Sequence, residues 1–384
     1  MFSKRGALDL SPNRIAQAAA ATPPRWDLTC SNPLRAGLEL GNDAMETVRT
    51  APADLYDPQP RGLASARQAL GAQLGWNPEH LVLTATTSEA YASLIKLFCD
   101  PGDQILIPEP SYPLLPMLAR FEGVVASPYS FRYDGQWHID RTAFAERMGP
   151  EVKLILAVSP NNPTGAYLSE EDLAFLLSHT VPLVVDEVFA PFDLRHARPQ
   201  PLRQSNTRSG LLFALGGLSK AAALPQLKLS WIAVSGEKRL VEESLAHLDL
   251  ITDTFLSVNE TTQRALPSLF SPSERRRQLV FERLQQNRRS LAELLRDAPE
   301  ISALPPEGGW YQVLRLPSVF SEEEWVLRFL ERGVLVQPGW FYDFPEEAWV
   351  VVSLLTEPLA FSKGVRQIVE TLIEMRDSSY FDRA

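Results

Sequence analysis

The sequence predicts an α/β fold built around a mostly parallel sheet. Three apolar runs, residues 153–158, 181–185 and 211–215, have the length of buried strands, and polar residues follow each of them. An Asn-Pro-Thr-Gly turn that begins at Asn162 follows the first run, Asp186 closes the second, and two glycines lead from the third to Lys220. Because ligands of α/β sheets bind beyond the carboxyl ends of the strands, we expect these three side chains to lie together there.

Lys220 is the residue around which this prediction is organised. An ammonium group at the end of a core strand is costly to bury, so desolvation favours the neutral amine, which attacks carbonyl groups. Each residue also has a structural interpretation taken alone: a surface lysine that extends to water, a plain turn at Asn162, and a cap at Asp186. Their occurrence at successive strand ends favours a shared site.

Composition limits the class of protein. The chain has 384 residues, 45% of them hydrophobic and 22% charged, which is ordinary for a globular protein with a large core. A net charge of -10 argues against nucleic acid or an anionic membrane as a partner. Two cysteines are too few for a disulfide framework, and no signal peptide or membrane span is evident. We therefore expect a cytoplasmic protein.

The first hundred residues contain several predicted elements. Residues 14–21 form a short helix candidate, and residues 27–37 are polar and rich in turn residues. A helix is predicted over residues 63–74 and a strand over 80–84, followed by an amphipathic helix that ends near Phe98. Hydroxyl residues at this strand-to-helix turn, Thr86, Thr87 and Ser88, cap the helix and make its first turn an anion site.

The remaining elements follow the same alternation. A strand over 104–107 is followed by Tyr112, and Gly216 and Gly217 are predicted to end the strand before Lys220. A further strand runs to Val234, and a long helix spans 274–295. Short strands are predicted over 311–316, 334–337 and 350–354.

From Asp27 to about Val369, these motifs make the sequence resemble the class I/II aminotransferases of fold type I, in the aspartate aminotransferase superfamily. The resemblance implies dependence on pyridoxal 5'-phosphate and a large domain with a seven-stranded, mostly parallel sheet flanked by helices. The strand to Val234 is its antiparallel member. It also implies a small α/β domain, with residues 51–285 in the large domain and residues 1–50 and 286–384 in the small one.

The resemblance implies a role for most of the motif residues. Lys220 forms a Schiff base with the cofactor, Asp186 stabilises the protonated ring nitrogen, Asn162 donates to the phenolic oxygen, and Tyr112 stacks on the ring. The phosphate is held by the turn at Thr86, Thr87 and Ser88 together with Lys228, and Ser219 is a further cofactor-binding candidate. Tyr56 reaches the phosphate of the other subunit, and the loop 253–262 enters the partner's site, so a homodimer with shared active sites is expected.

Thr86 and Thr87 stand where the family often has glycine, and four other positions also depart from the family pattern. Phe189 stands where a tyrosine commonly donates to the phenolic oxygen, Lys228 replaces an arginine, and Gly217 lacks a hydroxyl that often helps to hold the phosphate. Val351 stands where an arginine is expected to clamp the substrate α-carboxylate. A valine cannot make that bidentate contact. Either Arg35 or Arg61 substitutes, or the substrate is not an ordinary α-amino acid; Ser31 and Asn32 are further substrate-binding candidates.

The predicted activity is a ping-pong exchange of an amino group between an amino acid, or an amine, and a 2-oxo acid. A lyase, decarboxylase or cyclase that uses pyridoxal phosphate is the alternative, since a fold does not decide which bond breaks. A cofactor-binding regulatory protein is disfavoured by the acidic charge and by the lack of room for a DNA-binding domain before Tyr56. No metal site, nucleic acid or membrane partner is expected.

Overall fold

A computed structural model of the chain describes residues 2–52, 56–195, 210–345 and 348–377. The helices in chain order are α1 (Arg14–Ala21), α2 (Asp43–Arg49), α3 (Ala64–Leu74), α4 (Thr87–Phe98), α5 (Leu114–Glu122), α6 (Arg141–Arg147), α7 (Glu170–Leu177), α8 (Leu218–Ala221), α9 (Lys238–Phe255), α10 (Glu260–Leu294), α11 (Glu322–Glu331) and α12 (Pro358–Asp377).

The strands in chain order are β1 (Trp26–Asp27), β2 (Leu81–Thr84), β3 (Gln104–Glu109), β4 (Val125–Tyr133), β5 (Trp137–Ile139), β6 (Val152–Val158), β7 (Leu183–Asp186), β8 (Leu212–Gly217), β9 (Ser230–Ser235), β10 (Ser302–Leu304), β11 (Tyr311–Arg315), β12 (Val334–Leu335), β13 (Gln337–Pro338) and β14 (Trp349–Ser353).

The largest sheet has the strand order β2-β9-β8-β7-β6-β3-β4-β5. Strands β8, β7, β6, β3 and β4 run parallel to one another, and β9 is antiparallel to both of its neighbours, as predicted. The sheet therefore has eight strands in the described part of the chain, and the prediction of seven is wrong. The additional strand is β5, which turns back from β4 as a short antiparallel hairpin that the sequence analysis overlooked.

The central strands are apolar on both faces because each face packs against its own layer. In β6, Leu154 and Leu156 join a cluster with residues of α4, α5 and α9, whereas Ile155 and Ala157 join another with α6 and α7. Alternate residues of a strand point to opposite faces, so a continuous apolar run is what a doubly covered strand requires. This packing fixes the sheet and therefore the edge at which the polar residues emerge.

The strand β8 ends at the second of the two glycines, so it runs two residues beyond the predicted apolar run and includes both of them. A Cβ atom on Gly216 would come within 2.5 Å of the Trp231 ring, and one on Gly217 within 2.4 Å of the Ser230 hydroxyl. Glycine is thus required here for the close approach of side chains from β9. The strand continues to Gly217, and Lys220 follows in the short helix α8.

Residues from both ends of the chain meet in a second region. Strands β10-β11-β14-β13 form a four-stranded antiparallel sheet, and β1 pairs with β12. The long helix begins at Glu260 rather than at residue 274, and it contains the residues on either side of the predicted boundary at 285/286. Residues 253–262 are not a loop: most of them belong to α9 and α10, and the connection is residues 256–259.

The described residues contain neither a membrane-spanning helix nor a cluster of metal-binding side chains. None of their helices combines the length and hydropathy needed to cross a membrane. Their histidine, cysteine, aspartate and glutamate side chains form no group of three or more that is placed to hold a metal ion.

Candidate functional site

Strand register brings the predicted site segments to one edge of the large sheet. Val158 lies opposite Asp186, which lies opposite Leu215, so the turn at Asn162, the carboxylate and the residues leading to Lys220 are neighbours. At the next positions, Gly217 of β8 faces Ser230 of β9, and Ser230 faces Thr84 of β2. The end of β8 therefore lies next to the start of β9, which in turn lies next to the start of α4. The predicted convergence of strand ends is present in the structure.

A cavity of about 210 Å³ opens at this edge. The predicted site residues that line it are Ser31, Thr87, Tyr112, Asn162, Asp186, Phe189 and Lys220. A larger cavity of about 630 Å³ lies elsewhere, between α3, α10 and the far side of β8, and apolar side chains form most of its wall. The smaller cavity contains both the amine and the carboxylate, so it is the candidate active site.

The Lys220 amine is desolvated among aromatic rings. Its Nζ atom lies 4.5 Å from the centroid of the Trp310 ring and 5.4 Å from that of Phe189. Burial lowers the pKa of Lys220 to about 8, although the nearby Asp186 carboxylate acts in the opposite direction. A substantial fraction of the amine is therefore neutral near physiological pH, which is the state required of a nucleophile or proton acceptor.

The Asp186 carboxylate is buried and held by two donors. The Tyr91 hydroxyl donates to Oδ2 at 2.9 Å, and the Val188 backbone N–H donates to Oδ1 at 2.9 Å. Burial raises the pKa of Asp186 to about 6, while these hydrogen bonds and the charge of Lys220 limit the increase. A carboxylate in such surroundings gains most from a cationic partner in the cavity, because charges attract strongly where water is excluded.

Two polar atoms on the cavity residues have no hydrogen-bond partner among the described residues. They are the Asn162 side-chain oxygen and the Ser111 hydroxyl, both of which are buried. Buried polar atoms are normally paired, and leaving one unpaired is costly. Their position in the cavity wall is what a site built for a polar ligand requires.

The hydroxyl residues after β2 take different positions. Thr86 is the N-cap of α4, where its hydroxyl accepts from the Glu89 N–H at 3.1 Å, and Thr87 lines the cavity. Ser88, Ser219 and Lys228 are not among the lining residues; Lys228 is exposed and has a left-handed backbone conformation, with φ of 50°. The free N–H groups at the start of this twelve-residue helix suit an anion.

The second sheet contributes the opposite wall through Tyr311. Burial raises the pKa of Tyr311 to about 12, and a contact with the Ser31 hydroxyl opposes this shift. Tyr311 faces Ser353 and Val313 faces Val351, so Val351 lies two residues farther along the same face of the sheet. Val351 is buried in an apolar cluster, and Gln337 of β13 pairs with it on the other side. This face is neutral where the family pattern has an arginine.

The remaining candidates lie outside the cavity wall of the described chain. Arg61 forms a bidentate ion pair with Asp249, at 2.6 and 2.7 Å, and Arg35 is exposed. Asn32 accepts from the Leu34 N–H within a turn, and Tyr56 is 80% exposed. Of the two arginines considered for the substrate carboxylate, Arg61 already has its carboxylate partner.

Four further residues touch the site and were not predicted as site residues from the sequence: Tyr91, Ser111, Trp310 and Tyr311. Tyr91 follows Thr87 by four residues, so both lie on one face of α4. A tyrosine on a buried helix face needs a partner for its hydroxyl, and this was the available signal. The aromatic pair at 310 and 311 follows two glycines near the opposite end of the chain, and no local pattern connects it with Lys220.

Comparisons with known proteins identify the family and the fold of the chain. The family model described as "Aminotransferase class I and II" matches residues 45–359. The glutamate-pyruvate aminotransferase AlaA of Escherichia coli is 23% identical over 339 residues, which are 83% of each chain. The alanine aminotransferase of Mycobacterium tuberculosis is 26% identical over 83% of this chain and 78% of its own. The solved alanine aminotransferase from Pyrococcus furiosus has a TM-score of 0.86 at 21% identity, over 97% of this chain and all of that one.

Proposed function

Because the chain belongs to the class I and II aminotransferases, and so transfers amino groups, we propose that it does so with pyridoxal phosphate held at Lys220. The substrates of such an enzyme are an amino acid and a 2-oxo acid. The observation that carries the proposal is the desolvated pair formed by Lys220 and Asp186 in one cavity. Names of the relatives suggest alanine, glutamate and pyruvate as the first compounds to test.

The residues present fit this cofactor. A buried carboxylate suits a protonated ring nitrogen, and the start of α4 suits a phosphate. The side-chain NH₂ group of Asn162, a residue of the same cavity wall, would donate to the phenolic oxygen. Tyr112 lines the same cavity and offers an aromatic face for the ring. The residues that would hold the phosphate are Thr86, Thr87, Ser88, Ser219 and Lys228.

Pyridoxal phosphate, when bound, supplies an electron sink for the pair of electrons left at the substrate carbon. Asp186 would keep the ring nitrogen protonated, and its donors Tyr91 and Val188 fix the direction of its carboxylate. Lys220 would hold the cofactor through Nζ and, once released, accept and return a proton at that atom. The rings of Trp310 and Phe189 keep water away from Nζ and maintain its lowered pKa.

The test is a single-turnover experiment with purified protein and pyridoxal phosphate. On addition of L-alanine, we expect stoichiometric pyridoxamine phosphate and pyruvate, both measured by chromatography. The alternative activity, a lyase, decarboxylase or cyclase, would consume the amino acid without forming pyridoxamine phosphate. The relatives compared above are aminotransferases, so none of them favours that alternative.

A second arm of this experiment examines the neutral wall, which is the face of the second sheet that carries Tyr311 and Val351. L-Alanine and L-alaninol differ only in the group attached to the reacting carbon, carboxylate in one and hydroxymethyl in the other. If no cation of the protein meets that group, the two compounds should react with similar KM values. A strong preference for alanine would point to a cation outside the described cavity wall, such as Arg35.

We also propose a homodimer in which each site is completed by the partner. Several large apolar side chains are exposed near the start of α3 and the end of α9: Tyr56, Leu250, Phe255 and Leu256. The Arg61–Asp249 pair and the bond from the Asp57 N–H to Glu260 join these segments into one surface. Large exposed apolar groups in one area are typical of an interface.

Mixing two inactive variants tests the shared site. A Lys220→Ala chain and a Tyr56→Ala chain should regain activity when refolded together, because one site of the mixed dimer then has both native residues. Sedimentation of the wild-type chain as a monomer would contradict the dimer. A dimer that shows no recovery would contradict only the role of Tyr56.

A further inference from the structure

The strand that leads to Lys220 ends in a glycine where the family pattern often has a hydroxyl. This residue, Gly217, is the last of β8 and lies three residues before Lys220. Its partner across the antiparallel pair is Ser230, the first residue of β9. Side chains of directly opposed residues in such a pair project from the same face of the sheet. Any side chain at 217 would therefore share its space with that of Ser230.

The structure shows that Ser230 occupies this space. A Cβ atom built on Gly217 would lie 2.4 Å from the Ser230 hydroxyl oxygen and 3.2 Å from its Cβ. Both distances are shorter than ordinary van der Waals contact, so a serine at 217 and the present Ser230 exclude each other. Gly217 therefore has no side chain because the side chain of Ser230 fills the space beside it.

Ser230 lies next to the two segments that carry proposed phosphate ligands. Ser230 pairs on its other side with Thr84, after which the chain turns into the start of α4. The Leu218 N–H donates to the Leu229 carbonyl at 3.0 Å, which ties the segment before Ser230 to the segment that carries Ser219 and Lys220. Ser230 is only 3% exposed, so any group that its hydroxyl meets lies within the protein or in the bound ligand.

We propose that Ser230 is a cofactor-binding residue whose hydroxyl donates to the phosphate of pyridoxal phosphate, in place of the one that Gly217 lacks. The proposal rests on the cofactor assignment made above. The hydroxyl is supplied from the neighbouring strand, so the glycine does not by itself weaken the hold on the phosphate.

The experiment compares two ligands that differ only in the phosphate. Dissociation constants of pyridoxal phosphate and pyridoxal are measured by absorbance titration for the wild-type protein and for Ser230→Ala. We expect the variant to bind pyridoxal phosphate on the order of 10- to 100-fold more weakly, the effect of losing a hydrogen bond to a charged group. Its affinity for pyridoxal should change less than twofold. Ser244→Ala, which removes a buried hydroxyl from α9, is the matched control and should leave both constants unchanged.

An exchange of the two side chains provides the second test. Gly217→Ser alone should lower the melting temperature, because the new side chain meets Ser230. The double variant Gly217→Ser/Ser230→Gly should recover both stability and affinity for pyridoxal phosphate, since the hydroxyl then comes from β8. Equal losses for both ligands in Ser230→Ala, or unchanged affinity for pyridoxal phosphate, would overturn the role of Ser230. A wild-type protein that binds pyridoxal and pyridoxal phosphate equally would instead contradict the phosphate site and with it the proposed cofactor.

Discussion

The two walls of the cavity come from different sheets and have different electrostatic character. The large sheet provides an amine and a carboxylate, Lys220 and Asp186, in apolar surroundings that shift the pKa of each towards neutrality. The second sheet provides Tyr311 and, on the same face, the buried Val351. Burying a charged group is costly. The buried charges of Lys220 and Asp186 therefore indicate that the reaction takes place at the wall formed by the large sheet.

This contrast separates two parts of the function. The wall with the charged pair carries the features expected of the cofactor side, including the start of α4 and the unpaired side-chain oxygen of Asn162. The neutral wall is where the family pattern and this chain differ. We therefore expect the reaction type to follow the family and the substrate to be what distinguishes this protein.

Replacement of Lys220 should have the largest effect. In Lys220→Ala we expect turnover to fall roughly 10⁴-fold or more, as for loss of a covalent nucleophile. Borohydride reduction with pyridoxal phosphate should add the cofactor mass at Lys220 in the wild type and nothing at residue 220 in the variant, as measured by peptide mass spectrometry. Lys238→Ala, at an exposed lysine of α9, is the control. Cofactor attached at another lysine of the wild type would show that the cavity at Lys220 is not the active site.

Asp186→Asn tests the other member of the charged pair. We expect turnover to fall roughly 10²- to 10³-fold, as for loss of a major electrostatic contact in the transition state. Stability supplies an independent measure in the cofactor-free protein. Since burial raises the pKa of Asp186 from 3.8 to about 6, the folded state binds more protons than the unfolded chain between these values.

Stability of the wild-type protein should therefore decrease, through this group, as the pH rises from about 4 to 6. Asp186→Asn lacks this contribution and should gain stability relative to the wild type over the same interval, as measured by urea denaturation. A difference between the two proteins that does not change with pH would show that the carboxylate is solvated, and the contrast between the walls would lose its basis.

Tyr91→Phe should have an intermediate effect, because it removes one of two donors to Asp186 while keeping the ring. We expect the pKa of Asp186 to rise further and turnover to fall roughly tenfold, as for loss of a hydrogen bond to a charged group. The pH dependence of stability should extend to higher pH. Tyr129→Phe is the matched control, since that hydroxyl donates to the Leu156 backbone carbonyl instead. Identical pH profiles for the two variants would mean that Tyr91 acts only through packing.

Arg35→Glu should have the smallest effect and tests whether the neutral wall gains a charge from the N-terminal segment. Because Arg35 is exposed, its interaction with a substrate carboxylate is screened, and we expect KM for amino acids to rise about fivefold or less with little change in kcat. Arg49→Glu, at another exposed arginine, controls for the change in net charge. An unchanged KM for every amino acid tested would remove Arg35 as a substrate residue.

Local sequence patterns were sufficient for much of the fold. Helix α1 and the ends of α4 at Phe98 and β6 at Val158 agree with the predictions, because apolar runs and turn residues are properties of neighbouring positions. The errors have tertiary causes. Gly216 and Gly217 remain in β8 because Trp231 and Ser230 need the room, and α10 extends through Pro267 and Pro272 to an earlier start at Glu260.

By itself, the sequence determined that an amide, a carboxylate and an amine follow successive core strands, and from this the family resemblance and the reaction type followed. Only the tertiary structure decided that Tyr91 donates to Asp186, that Trp310 lies against Lys220, and that Ser230 fills the space beside Gly217. The physical reason is that the end of a strand can be recognised from residues that are neighbours in the sequence. Contacts between distant residues depend on strand order and register, which the packing of the whole chain sets.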